Sequence, residues 1–135
     1  MSKNDFSPGF RFLKHDAVVL LLGAVGVAYF FKPFFVASFV IAMAVGHFFM
    51  FCNVFRLSRI PELIWAGGFL LLVAIHLRTG FIEISLVALL SILLSVTLIA
   101  TELRKPSYHG IFWKQLNPDL LRWFDDQQKQ ATEKS

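Results

Sequence analysis

The sequence predicts an all-α membrane protein: four transmembrane helices paired as two hairpins, then a C-terminal amphipathic helix at the membrane interface. Three observations carry that prediction. Of the 135 residues, 56% are apolar and only 16% are charged, against about 45–50% and about 25% in soluble domains. The apolar residues fall into four near-continuous blocks, Ala17–Phe31, Phe34–Phe55, Leu63–Leu77 and Phe81–Ala100. Turn formers or clustered charge separate the blocks. The same composition excludes intrinsic disorder, which needs few apolar residues and high charge. With Cys52 as the single cysteine, a disulfide-stapled scaffold is excluded too. The division expected is a membrane domain over 1–105, including a short N-terminal cytoplasmic segment, and a cytoplasmic amphipathic tail over 106–135.

A spanning helix needs about 20 mostly apolar residues. The second and fourth blocks meet this alone, whereas the first and third have fifteen residues each. Flanking residues extend them, the first from near Phe12 and the third from Pro61, since proline is favoured at the first position of a helix. A re-entrant first or third block is the competing arrangement. A single helix over 17–55 would run about 58 Å at 1.5 Å per residue, nearly twice the hydrocarbon thickness. The chain therefore folds back at Lys32-Pro33, where proline disfavours helix in the residue before it. Arg78-Thr79-Gly80 makes the second tight turn, its glycine free to take positive φ. The loop Arg56–Glu62 joins the two hairpins.

Basic residues set the orientation. Near the span ends, Lys3, Arg11, Lys14, Arg56, Arg59, Arg104, Lys105 and Lys114 lie on one side, and only Lys32 and Arg78 lie on the other. Eight against two places both termini and the Arg56–Glu62 loop in the cytoplasm of a cell membrane, bacterial inner or plasma. A pI near 9.5 would suggest nucleic acid in a soluble protein, but no basic stripe with interleaved aromatics is present. The charge reads instead as topology signal and attraction to anionic lipid. The first block has the charge and apolar core of a secretory signal, but bulky Tyr29-Phe30-Phe31 replaces a small-residue cleavage site, so it reads as retained.

Beyond the spans, Asn117-Pro118-Asp119 reads as a helix start, with Asn as cap, Pro at the first position and Asp near the positive end. Leu120, Leu121 and Phe124 then share a face. Trp113, Trp123 and Phe124 either lie at headgroup depth or dock into a partner's groove.

Three ionisable side chains fall inside the apolar blocks, His47, His76 and Glu83, and such groups are costly in a bilayer and so are candidate intramembrane sites. His47 and His76 lie about 18 Å apart in depth, so one chain cannot ligate one haem with both; His47 would need a ligand from another chain. The packing reading of His47 is a hydrogen bond between helices, as for Ser91 and Ser95. His76, Arg78 and Glu83 read as a salt-bridged cap on the second hairpin or an outward-facing ion site. On the opposite side Asn53, Arg56, Arg59 and Glu62 form the candidate partner- or lipid-binding loop, because arginine's planar fork suits phosphate and carboxylate. The alternative pairs its arginines internally with Glu62 and Glu102. No nucleophile–base pattern, phosphate-binding glycine loop or H-E-x-x-H motif is present. No catalytic residue, cofactor or metal is therefore expected. The function expected is association, as an accessory, assembly or anchor subunit of a membrane complex; the partners expected are the lipid bilayer and other membrane-protein subunits or further copies of the chain. An oligomeric small-solute transporter or pore is the alternative, and a lipid-modifying enzyme the lesser one.

Overall fold

The computed structural model describes residues 7–134, in which every regular element is helical. Lys3, counted above toward orientation, lies outside the described residues. Helix α1 covers Lys14–Phe30, α2 covers Phe35–Phe49 and α3 covers Arg59–Thr79. Helix α4 covers Ile84–Leu103, and two helices follow, α5 (Trp113–Leu116) and α6 (Leu120–Glu133). A five-residue π-helix, Met50–Val54, extends α2. Three helices are long and apolar enough to cross a membrane: Phe35–Val54, Arg59–Thr79 and Ile84–Leu103. Helix α1 has 17 residues and carries Lys14 and Asp16 in its first turn. Its length is about 25 Å, shorter than a hydrocarbon core of about 30 Å.

The two hairpins form by different means. Between α1 and α2 the chain turns at Lys32-Pro33, and the helices close on small residues. A Cβ added at Gly23 would lie 3.0 Å from Val45, and Ser38 donates from Oγ to the Val27 carbonyl at 2.9 Å. Gly80 ends α3 in the left-handed region at φ 61°, its N–H returning to the His76 carbonyl at 3.0 Å. This is the C-cap geometry that glycine adopts without a Cβ clash. Glu83 precedes α4, and its carbonyl accepts from Leu86 and Val87 N–H.

Two boundaries differ from expectation. Helix α3 starts at Arg59, so Pro61 is its third residue rather than its first. That placement costs nothing, because the first-turn N–H groups have no intrahelical partner to lose. Helix α6 starts at Leu120 after Asp119, and Asn117 does not cap it. The Asn117 amide donates instead to the Pro106 and Tyr108 carbonyls. Leu120 is fully buried and Leu121 is 53% exposed, so the apolar residues at the start of α6 divide between two faces.

The core lies where α2 and its π extension meet α3 and α4: Phe51, Trp65, Phe69, Val73 and Val87 are buried there. Trp65 stacks on His47 with ring centres 4.2 Å apart and on Phe69 at 5.0 Å. Its indole N–H donates to the Ser91 carbonyl at 3.2 Å, tying α3 to α4.

Candidate functional site

The end of the bundle where α1 begins and α4 ends is fastened by main-chain hydrogen bonds. A helix leaves its last four carbonyls unpaired, and the π extension of α2 presents two of them sideways. The Asn53 carbonyl accepts from Arg11 N–H at 3.1 Å, and the Val54 carbonyl from Ile111 N–H at 2.9 Å. Gly9 N–H closes the ring on the His109 carbonyl at 2.7 Å. The segment before α1 and the segment after α4 are thereby held side by side on the end of α2. Gly110 makes this approach possible: a Cβ there would fall on the Phe55 carbonyl oxygen and 2.6 Å from the Tyr108 hydroxyl.

Within this clasp lies a cleft of about 370 Å³ lined by Arg11, Arg56, Arg59, Glu62, Tyr108 and His109, among others. Arg56 takes φ 49°, uncommon for a residue with a Cβ, and donates to the Ser7 carbonyl. Burial first, and then the positive charge of Arg11, lower its pKa from the ordinary arginine value. Among the described residues neither Arg11, Arg56 nor Arg59 has a carboxylate at ion-pair distance. The alternative arrangement, internal ion pairing of Arg56 and Arg59 with Glu62 and Glu102, is therefore not formed among the described residues. Glu102, nearly buried, is taken by Lys105 one turn on, and Glu62 accepts from the Cys52 thiol at 3.5 Å.

Each residue singled out in the sequence has a definite place. Asn53 is only 5% exposed, and its side-chain amide, oriented with the nitrogen toward them, donates to the Arg11 carbonyl and Asp16 Oδ2 at 3.2 Å each. It is a fastener within the clasp. Arg56, Arg59 and Glu62 do come together in the cleft. Trp113 is half-buried beside Gly9, with the Lys114 ammonium 5.9 Å from its ring centre. Trp123 and Phe124 are half-buried on α6. His47 donates from Nδ1 to the Met43 carbonyl at 2.9 Å and is stacked in the core. His76 donates from Nδ1 to the Ile82 carbonyl at 2.7 Å, tying the end of α3 to the turn. Glu83 accepts from Ser85 at 3.3 Å, and among the described residues no ion pair joins it to Arg78. The cap on this hairpin is thus made by hydrogen bonds, because His76 finds a carbonyl nearer than any carboxylate.

Sequence reasoning missed Arg11, Tyr108, His109 and Gly110 as parts of the cleft. The run Ser107-Tyr108-His109-Gly110 directly after a proline was a legible signal: a turn with an aromatic anchor. Tyr108 is 4% exposed, and its hydroxyl donates to the Ile111 carbonyl at 2.9 Å. Burial pushes its pKa up to about 12. An unfolded tyrosine titrates near pH 10, so the folded state holds the proton more tightly. Its contribution is complete below about pH 10 and is lost as pH rises toward 12. Proteolysis of the 105–120 segment is expected to accelerate over that interval in the parent protein. Tyr108→Phe should lack that alkaline step, at a cost of about 1 kcal/mol for the lost hydrogen bond. An alkaline transition unchanged in Tyr108→Phe would show that another group controls it.

Chemically, the cleft offers three arginines and two carboxylates, Glu62 and Glu102, around a concave surface of mixed polarity. Comparison with protein-family models, curated proteins and solved structures finds no match to this chain.

Proposed function

We propose that this chain is a four-span protein of the cell membrane, with both termini and the Arg56–Glu62 loop in the cytoplasm, that acts by association as an accessory, assembly or anchor subunit. The observation that carries the reading is the apolar surface displayed outside the spans. Phe112, Leu116 and Leu121 are 62%, 48% and 53% exposed, on segments that the clasp and the buried Leu120 fasten to the bundle. Apolar side chains held rigidly beyond the hydrocarbon layer fit a groove on a partner or the interfacial layer of the membrane. The polar groups between the helices favour a scaffold over a conduit. Among the described residues every buried side-chain nitrogen or oxygen has a hydrogen-bond partner. The imbalance of basic residues supports the orientation, and α1, with the apolar Phe12 and Leu13 just ahead of it, is the proposed fourth crossing.

Native mass spectrometry of protein gently extracted from its own membrane tests the proposal. A stable complex with another membrane protein is expected, and Phe112→Ser/Leu116→Ser/Leu121→Ser should release that partner while the bundle keeps its melting temperature. Surface exchange is the right probe here, because truncation from Gly110 would also remove the Ile111–Val54 hydrogen bond. Recovery as a homo-oligomer with lipid alone would overturn the subunit reading in favour of transport or lipid handling.

A further inference from the structure

An open apolar groove of about 480 Å³ runs along the bundle between α1, α2 and α3, walled by Val19, Val45, Phe48, Phe51 and Trp65. From Ala44 to Phe51 on α2 it extends about 10 Å into the apolar layer at 1.5 Å per residue. Its volume falls in the range of small-molecule pockets, about 300–1,000 Å³. The groove and the arginine cleft meet at Glu62, which lines both. An apolar groove along the helices and an arginine-lined cleft at their end thus share one wall residue, Glu62.

We propose that this composite site holds one anionic glycerophospholipid, its phosphate among Arg11, Arg56 and Arg59 and an acyl chain in the groove. Charge complementarity selects the occupant. Three arginines line the cleft against Glu62 and Glu102, and Lys105 already neutralises Glu102. Arg11 lies close enough to Arg56 for their charges to repel, and an anion between them relieves that repulsion. Guanidinium forks match phosphate oxygens in pairs, and bonds of that kind are among the strongest available to a protein. The apolar wall accounts for the rest of the molecule: a free phosphate has no use for it, and a zwitterionic lipid brings its own cation toward the arginines. Basic pockets at the end of transmembrane helices are a recurrent setting for anionic headgroups. The site is independent of the subunit reading, since a lipid can be held whether or not a partner protein binds.

The test uses the purified full chain in detergent, offered equal amounts of phosphatidylglycerol and phosphatidylcholine with identical acyl chains, with retained lipid read by native mass spectrometry. One phosphatidylglycerol should be retained with about a tenfold preference, the scale of one charge-assisted contact. Arg11→Gln/Arg59→Gln should abolish the preference and Arg11→Lys/Arg59→Lys should restore part of it. Arg104→Gln, an exposed cation at the same end that does not line the cleft, should leave it unchanged. Ala44→Trp, which fills the groove from an exposed position, should lower retention of both lipids. Glycerol 3-phosphate at equal concentration should displace none. Equal retention of the two lipids, an Arg104→Gln effect as large as that of the double variant, or failure of the lysine variant to restore any of the preference would each overturn the proposal. Displacement by glycerol 3-phosphate would reassign the cleft to a soluble phosphate and equally overturn it.

Discussion

Trp65→Ala should lower the stability of the folded bundle by about 2–4 kcal/mol, somewhat less than the range for a large aromatic in a soluble core because lipid is as apolar as the protein interior. Trp65 is 5% exposed and joins the two hairpins. One face of its ring meets His47 of α2, Phe69 stacks at 5.0 Å, and the indole N–H reaches α4. Truncation leaves a cavity bordered by rigid helices, and it exposes the polar His47 ring to the resulting space. Trp65→Phe separates shape from hydrogen bonding. The Ser91 carbonyl also accepts from the Ser95 hydroxyl at 2.8 Å, so losing the indole donor leaves no orphan, and the cost should be about 0.5–1.5 kcal/mol. Reversible unfolding in mixed micelles, followed by pulse proteolysis, measures both. A Trp65→Ala loss no larger than that of Trp65→Phe would show that the hairpins associate through other contacts.

Gly110→Ala should open the clasp. The added methyl would strike the main chain at Phe55, with its carbonyl carbon 2.6 Å away, and the Tyr108 hydroxyl also at 2.6 Å. Main chain at a helix end cannot step aside as a flexible side chain does, so the cost belongs at or beyond the upper end of the overpacking range, about 3 kcal/mol. That cost falls on one place. The bonds Ile111–Val54 and Gly9–His109 should fail together, and hydrogen exchange at residues 105–120 should rise while the spans stay protected. Gly67→Ala is the matched comparison: nothing lies within 4 Å of its added Cβ, and alanine in a helix interior is favoured by up to about 1 kcal/mol. If Gly110→Ala protects the segment as well as the parent does, the clasp is not what holds it.

Much of the architecture was legible because it rests on local properties. Hydropathy over about 20 residues marks a span wherever the rest of the chain lies, and three helices meet that standard in the structure. The breaks at Lys32-Pro33 and Gly80 were legible because proline and glycine act on their own backbone. The cleft was legible in part: Arg56, Arg59 and Glu62 are neighbours in sequence, and one loop turn keeps them neighbours in space.

What sequence alone determined, then, was the helical class, the positions of the apolar segments and turns, and the concentration of arginine beside Glu62. What tertiary structure decided was every choice of partner. Asn53 turned inward because Arg11 and Asp16 meet it there, and Asn117 donates to the Pro106 and Tyr108 carbonyls on the far side of α5 instead of capping α6. Glu102 went to Lys105 and not to an arginine, and His47 went to the face of Trp65. The physical reason is the same in each case. Hydrophobic burial and backbone propensity add up along the chain, whereas a hydrogen bond or ion pair forms with whichever group arrives within about 3 Å, and the arrivals come from segments up to a hundred residues apart, as with Gly9 and His109.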